Sequence, residues 1–241
     1  MRREKPKQAA FLLIAQLLRS DRIPPVTLAV IAINICIYLE LFEFNFPTLG
    51  SVCLSFNFIL YNREWKRILL SPFFHGDDWH LYYNMISFSI KGRSMEQKYG
   101  SFYFAILLSV FSVSTGLIYL AIEYLSYKIL ETNYALDSCA IGFSGVIFAL
   151  KVLTTHDLPS GTIYGFDGIQ VPSKYAYWFE LIIISLLTPN VSFAGHLAGI
   201  VVGLLYINGP LKILIDFLSS IGMERRPRFY TTHSQHRRYG Y

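Results

Sequence analysis

Six stretches of the chain are almost wholly apolar, and polar or charged residues separate each stretch from the next. Backbone polar groups inside hydrocarbon must bond to one another, so apolar stretches in a bilayer form helices. The pattern predicts an all-α, polytopic membrane protein with six transmembrane helices. The predicted spans are residues 26–42, 79–90, 102–124, 139–153, 175–187 and 193–207.

Two of the predicted helices are short. Residues 79–90 and 139–153 would form helices of only about 18 and 22 Å, whereas the hydrocarbon core is about 30 Å thick. Both stretches also carry polar residues, among them His80, Asn84 and Ser144. A water-filled cavity open to one side of the membrane would explain the shortness and the polarity together.

The chain divides into three predicted parts. An apolar stretch, residues 9–18, comes after four basic residues, but it has no small-residue cleavage site behind it, so we do not interpret it as a signal peptide. At roughly 15 Å it is too short to span a bilayer. We predict an interfacial cytosolic helix over residues 1–23, a six-helix domain over 24–210, and a basic cytosolic tail over 211–241.

Composition and charge support a membrane protein. Hydrophobic residues make up 53% of the chain, charged residues 15%, and the mean hydropathy is +0.40, which is more apolar than a soluble domain of this size requires. The net charge of +5 does not indicate nucleic-acid binding, because the basic residues lie beside apolar stretches and form no basic stripe. With both termini cytosolic, all but four of the 21 Lys and Arg residues lie on the cytosolic side, as the positive-inside rule requires.

The three cysteines, Cys36, Cys53 and Cys139, are too few and too scattered for a disulfide scaffold or a zinc site. We therefore expect no metal and no other cofactor. Cys53 and Cys139 both fall on the predicted lumenal side, where an oxidising compartment permits a disulfide. We hypothesise that these two residues are bonded.

Candidate chemistry begins in the fourth stretch with Gly142-Phe143-Ser144-Gly145, predicted to lie about one turn into a helix. The residue after Gly145 is Val146, so the pattern is not the Gly-x-Ser-x-Gly elbow of soluble hydrolases. Small residues such as these also allow close packing of membrane helices without any chemistry. Ser144 is therefore a candidate nucleophile that needs a partner.

The sixth stretch supplies that partner. His196, Gly199 and Gly203 are spaced i, i+3 and i+7, on one helix face, so the glycines let another helix approach the histidine. If that helix is the fourth, with Gly145 at the contact, Ser144 comes within reach of His196. The imidazole can then act as general base for the hydroxyl and as general acid for the leaving amine.

The second stretch adds two hydrogen-bond donors. His80 and Asn84 are spaced i, i+4 and lie on one face. Together with the backbone N–H of Ser144, they could stabilise a developing oxyanion. The alternative is that His75 and His80, near a helix start, only bind interfacial water or lipid headgroups.

In order, spacing and helix placement, these motifs resemble the rhomboid intramembrane serine proteases. The resemblance covers residues 24–209, and within that family it is strongest to the endoplasmic-reticulum branch, in residues 23–28, 69–72, 77–82 and 192–199. It implies that Ser144 is the nucleophile and His196 the base, with His80 and Asn84 in the oxyanion hole. The implied location is the endoplasmic-reticulum membrane, and the implied substrates are transmembrane proteins with unstable or polar helices, destined for degradation.

The chain departs from the family pattern at several positions. Many rhomboids carry a tyrosine that stacks on the histidine, whereas Phe148 stands here and can stack without hydrogen bonding. A lysine is inserted into the Trp-Arg pair of the first loop, which reads Trp65-Lys66-Arg67. The tail is short for a ubiquitin-binding tail, and Pro227 would interrupt a docking helix, so we expect neither ubiquitin nor p97 binding.

No carboxylate is placed to complete a triad. Glu123 and Glu180 fall in the third and fifth stretches, away from the motifs, so we predict a Ser-His dyad and can name no partner for Glu180. Two other classes of function remain: a catalytically inactive rhomboid-fold adaptor for membrane-protein dislocation, and a transporter with a histidine proton relay. The adaptor class usually lacks the serine or the histidine, and a transporter leaves Gly-x-Ser-Gly without a purpose.

Overall fold

A computed structural model describes residues 6–20, 22–41, 47–131, 138–159, 161–166, 169–188 and 191–222. Within these ranges the chain is mainly helical. The helices are α1 Gln8–Arg19, α2 Pro25–Leu39, α3 Leu49–Val52, α4 Phe56–Leu60, α5 Lys66–Leu70, α6 Asp78–Tyr99, α7 Ser101–Leu130, α8 Ser144–His156, α9 Ala176–Leu187, α10 Phe193–Ile207 and α11 Pro210–Gly222, with 3₁₀ turns at Ser71–Phe73 and Ser173–Tyr175.

A short hairpin interrupts the helical fold between α8 and α9. Strands β1 Ile163–Phe166 and β2 Ile169–Pro172 pair antiparallel, with Ile163 opposite Pro172. The prediction of a mainly helical chain is confirmed, and this hairpin is a small addition to the predicted all-α fold. The two strands have only four residues each, too few for their pattern to stand out from a connecting loop.

Only α7, with 30 residues, is long and apolar enough among the described helices to cross a bilayer alone. Helices α10 and α11 meet the same criterion as a pair, although their axes bend by 72° between Ile207 and Pro210. The number of spans therefore stays a prediction, because α2, α8 and α9 are shorter and α6 carries several charged residues.

Helix α6 is longer than predicted. It has 22 residues and ends at Tyr99, about nine residues beyond the predicted end. The helix continues through the polar residue Glu96, whose carboxylate is buried. This carboxylate accepts hydrogen bonds from the backbone N–H groups of Val26 and Thr27, at 2.9 and 2.7 Å. These groups belong to the first turn of α2 and have no acceptor in their own helix. The prediction that this span is short is therefore wrong.

The helix that carries the candidate nucleophile starts later than predicted. Helix α8 begins at Ser144, so this serine is the first helical residue and not one turn inside. The preceding segment is extended: Leu54 and Ala140 exchange two backbone hydrogen bonds of 2.8 and 2.9 Å, and Gly142 N–H donates to the Ser71 carbonyl at 2.9 Å. Backbone groups paired with another loop cannot join the α8 helix.

The N-terminal helix packs against the side of the bundle. Ala9 N–H donates to the buried carboxylate of Asp78 at 3.0 Å, and the Tyr38 hydroxyl donates to the Pro6 carbonyl at 3.0 Å. Helix α1 thus starts at the end of α6 where Asp78 lies, whereas α2 starts at the opposite end beside Glu96. These contacts give the packing of α1 against other helices and not its depth in a bilayer, so the predicted interfacial position stays a prediction.

Helix α8 lies at the centre of the molecule, with nine of its 13 residues buried. It packs against α10 on one side and against α6 and α7 on others. Helix α9 lies farther out, with only Ala176 and Leu181 buried, and an ion pair of 2.8 Å joins its Glu180 to Lys151 of α8. Glu180 thus has a partner that the sequence did not reveal.

The predicted tail begins with a helix that was not predicted from the sequence. Helix α11 carries an apolar stripe, and its Asp216 accepts a hydrogen bond of 2.8 Å from the Tyr103 hydroxyl of α7. The contact holds α11 against the start of α7. Pro227 and the arginines around it lie outside the described residues, so the expectation about ubiquitin and p97 stays a prediction.

Candidate active site

Ser144 and His196 form a hydrogen-bonded pair. The distance from Ser144 Oγ to His196 Nε2 is 3.0 Å, which is within hydrogen-bond range. Ser144 opens α8, and His196 lies in the first turn of α10, where only 3% of its surface is exposed. The structure therefore brings together the two residues that the sequence singled out for chemistry.

The predicted glycines explain why the two helices approach so closely. A Cβ atom built on Gly199 would lie 2.8 Å from the carbonyl carbon of Gly145, and one built on Gly203 would lie 2.8 Å from the carbonyl oxygen of Ala149. These distances are shorter than any real Cβ contact, so backbone packs on backbone without intervening side chains. A Cβ atom built on Gly145 would lie 3.0 Å from the carbonyl oxygen of Gly195, so Gly145 also faces backbone.

An aromatic ring covers one face of the His196 imidazole. The Phe148 ring stacks on it, with centroids 4.5 Å apart and planes inclined by 28°. His196 Nδ1 is buried and has no hydrogen-bond partner among the described residues, so no carboxylate of that part of the chain orients the ring. Stacking by Phe148 thus takes the orienting role that an acid would have in a triad.

His80 lies beside the pair. It lines the same cavity as Ser144, and a Cβ atom on Gly142 would lie 2.7 Å from His80 Nε2. Gly142 has φ +102°, a left-handed conformation that glycine adopts without strain. The backbone N–H groups of the first turn of α8 have no acceptor in their own helix and lie at the positive end of its dipole.

Asn84 occupies a different environment from the one predicted. It is buried one turn farther along α6, and its amide nitrogen donates to the carbonyl of His80 at 2.8 Å. It is not among the residues that line the cavity. In this conformation Asn84 supports the helix that carries His80, while His80 and the first turn of α8 border the cavity with Ser144.

A second histidine of the motif contacts His80. The rings of His75 and His80 meet edge to face with centroids 4.9 Å apart. His75 is completely buried, and neither ring nitrogen has a hydrogen-bond partner among the described residues. Burial lowers the pKa of His75 well below its ordinary value, and nearby His80 adds to this effect, so the ring is neutral.

The cavity in front of Ser144 has a volume of about 350 Å³. Besides Ser144, His196 and His80, it is lined by several hydroxyl-bearing residues that the sequence motifs did not indicate. Thr115 is one of these, and its buried Oγ1 has no partner among the described residues. Ser112, Thr115 and Tyr119 lie in α7, and no spacing rule relates them to the motifs, so only the packing of α7 against α8 reveals them. Ser71 and Ser192 line the cavity from outside α7.

The first loop closes one side of the cavity. Cys53 and Cys139 are joined by a disulfide, as hypothesised from the sequence. Arg67, of which only 3% is exposed, donates to the carbonyl oxygens of Gly50 and Cys53 at 2.8 Å each and pairs with Glu64 at 2.7 Å. Despite the inserted lysine, this arginine therefore lies inside the loop and donates to backbone carbonyl groups.

A hydroxyl bonded to an imidazole, next to backbone N–H groups without an acceptor in their own helix and facing a cavity, has the parts needed for acyl transfer. The fold and the site together define a helical, membrane-type protein with a hydrogen-bonded serine-histidine pair. The chain belongs to the rhomboid family: the family model named Rhomboid domain matches residues 62–211, more than half of the chain.

Several relatives support this assignment. The chain is 44% identical over 217 residues to human rhomboid-related protein 4, covering 88% of this chain and 67% of the relative. It is 44% identical over 201 residues to the mouse protein of that name, covering 83% and 62%. It is 35% identical over 198 residues to rhomboid-like protein 14, mitochondrial, of Arabidopsis thaliana, covering 80% and 58%.

The family resemblance recognised in the sequence is thereby confirmed, and the chain is similar over most of its length to proteins named rhomboid-related protein 4. The chain spans about two thirds of the length of these mammalian relatives. Membership makes the chain a rhomboid-type, integral membrane protein. Some relatives carry the name of an activity: a Debaryomyces hansenii protein, 27% identical over 155 residues, is named rhomboid-type serine protease 2.

Proposed function

We propose that this chain is an intramembrane serine endopeptidase that cleaves transmembrane proteins, with Ser144 as nucleophile and His196 as general base. The observation that carries the proposal is the 3.0 Å hydrogen bond between the two side chains at the wall of a cavity. A structural serine in a membrane helix needs neither a histidine partner nor a cavity, so helix packing alone does not explain the arrangement.

The mechanism uses only groups of this chain, the substrate and water. Ser144 Oγ bonds to the scissile carbonyl carbon while its proton passes to His196 Nε2, and the carbonyl oxygen becomes an oxyanion. His80 and the backbone N–H of Ser144 stabilise this charge. His196 then donates the proton to the leaving amine, the C–N bond breaks, and water releases the acyl group by the same steps in reverse order.

The setting of this reaction is part of the same proposal. The chain crosses the membrane six times with the start of α2 and the end of α10 on the cytosolic side, so that the cavity opens to the lumenal side, and it resides in the endoplasmic reticulum. Its substrates are transmembrane proteins with polar or unstable helices, and its role is quality control of membrane proteins. The apolar exposed side chains of the helices, such as Phe11, Leu186 and Phe217, support a lipid environment.

Cleavage of a model transmembrane substrate tests the proposal. We expect the purified wild-type chain in liposomes to release a fragment, and Ser144→Ala and His196→Ala to lose at least about 10³-fold in rate, as removal of a nucleophile or base does in serine hydrolases. Equal processing by wild type and Ser144→Ala would refute the assignment. Such a result would favour a rhomboid-fold adaptor without protease activity.

A further inference from the structure

We propose that the disulfide between Cys53 and Cys139 is a positioning element of the catalytic site, so that its reduction slows cleavage by Ser144. The inference rests on the proposed protease function. In this role the disulfide holds the segment that leads into α8 in place, and sulfur takes no part in the cleavage reaction.

The disulfide joins two parts of the chain that are distant in sequence. The cysteines are 86 positions apart, and their Cα atoms lie 5.4 Å apart. Cys53 is buried with 2% exposure, whereas Cys139 is exposed. A small reductant can therefore reach the bond from the Cys139 side without unfolding of the loop.

The Cys53 side is a firm anchor. The carbonyl of Cys53 accepts a hydrogen bond of 2.8 Å from the buried Arg67, which holds the carbonyl of Gly50 in the same way. Arg67 also stacks over the Phe58 ring, 4.0 Å from its centroid. Charge-assisted hydrogen bonds are among the stronger polar contacts, so this loop keeps its place when a neighbouring segment is released.

Apart from the disulfide, the Cys139 side is held by a few hydrogen bonds. The hydroxyls of Ser138 and Tyr119 lie 2.8 Å apart, Ala140 exchanges two hydrogen bonds with Leu54 in a bridge only one residue pair long, and Gly142 donates one to Ser71. Hydrogen bonds of this kind contribute little net stability where water competes, and this segment lines the cavity beside the polar side chains of Asp77 and His80. The disulfide is therefore the restraint that keeps the short bridge paired.

The segment from Cys139 to Phe143 leads directly into the catalytic helix. Gly142 lies against His80, and Ser144 begins α8 five residues after Cys139. A shift of the segment moves the backbone that contacts His80 and loosens the first turn of α8, which carries Ser144 Oγ. Because a misplacement of about 1 Å can cost a factor of about 10² in rate, we expect kcat to fall at least about tenfold on reduction, with KM little changed.

Reduction of the folded wild-type chain in liposomes is the first test. Dithiothreitol supplies two electrons and two protons, closes to its own cyclic disulfide, and leaves one thiol on each cysteine. Mass spectrometry after alkylation measures the fraction reduced. We expect loss of kcat in proportion to that fraction, and recovery on reoxidation with oxidised glutathione, which a chain that had merely unfolded would not show.

Variants provide the matched comparison. Cys53→Ser, Cys139→Ser and the double variant should show the low kcat of the reduced wild type and no response to dithiothreitol. Cys36→Ser is the control, because Cys36 is the remaining cysteine, lies in α2 away from the cavity, and carries no disulfide. It should keep both the wild-type rate and the sensitivity to reduction.

Hydrogen exchange separates this inference from the protease proposal. We expect faster amide exchange in residues 139–143 after reduction, with α7 unchanged. If Ser144→Ala is inactive and the fully reduced wild type cleaves at the oxidised rate, the positioning role is overturned while the protease proposal stands. If Ser144→Ala cleaves like wild type, the protease proposal fails, and unchanged exchange in residues 139–143 would then overturn the positioning role as well.

Discussion

The variant Gly199→Ala should separate the two catalytic side chains by adding one methyl group. Gly199 lies one turn after His196 on α10, and its Cα faces the backbone of Gly145 on α8. A methyl carbon there would lie 2.8 Å from the Gly145 carbonyl carbon and 3.1 Å from its Cα. Carbon atoms make their best contacts at about 3.5–4.0 Å, so the helices must move apart by roughly 1 Å.

The movement acts directly on the pair. Backbone atoms cannot rotate away as a side chain can, so the displacement passes along α10 to His196. The distance between Ser144 Oγ and His196 Nε2 would rise from 3.0 Å to about 4 Å, beyond hydrogen-bond range. We expect kcat to fall about 10²-fold, equal to about 2.7 kcal/mol of transition-state stabilisation. Overpacking of this kind should also cost about 1–3 kcal/mol of stability.

The assay is the initial rate of cleavage of a fluorogenic transmembrane substrate, with the thermal unfolding midpoint measured on the same samples. Gly50→Ala is the matched control, because a Cβ atom there has no neighbour within 4 Å. It adds the same methyl group to the chain and should leave the rate unchanged. A folded Gly199→Ala variant that cleaves at the wild-type rate would refute the claim that close contact of α8 and α10 sets the catalytic distance.

Three further predictions concern the surroundings of the pair. Phe148→Ala should lower kcat about fivefold to tenfold, because stacking of aromatic rings contributes about 1 kcal/mol, while Phe148→Tyr should keep most of the rate in the same cleavage assay. His80→Ala should lower kcat by about 10²-fold or more, because it removes a donor to the oxyanion. Asn84→Ala should lower kcat by less, because the Asn84 amide donates to a carbonyl of its own helix. Equal losses of kcat in the two variants would contradict this ranking. Lys151→Gln should lower the free energy of unfolding by about 1–2 kcal/mol, because it removes the cation that pairs with Glu180. The exchanged pair, Lys151→Glu with Glu180→Lys, should recover part of this loss. Thermal unfolding of the two variants and the wild type measures both effects.

The sequence revealed the site where chemistry depends on local spacing. The i, i+3, i+7 pattern of His196, Gly199 and Gly203 correctly indicated a close helix contact, and Gly145 is at that contact. The pairing of Cys53 with Cys139 also agreed with their predicted common side of the membrane. These features needed no knowledge of the loops between the helices.

Features that depend on distant partners were missed. The end of α6 could not be placed because the acceptor role of Glu96 exists only when the first turn of α2 lies beside it. The start of α8 could not be placed because residues before Ser144 pair with Leu54, nearly 90 positions earlier. The Asn84 side chain can either donate to a carbonyl of its own helix or point into the cavity. The i, i+4 spacing does not distinguish these two orientations.

Labelling of Ser144 by a fluorophosphonate tests the central claim most directly, because the reagent reacts with a hydroxyl only when a neighbouring base activates it. Mass spectrometry of the labelled, full-length chain should find one adduct, on the peptide that contains Ser144. The adduct should be absent in His196→Ala, whose fold is checked by its thermal unfolding midpoint. An unlabelled Ser144 in the wild type, or equal labelling with and without His196, would contradict the account.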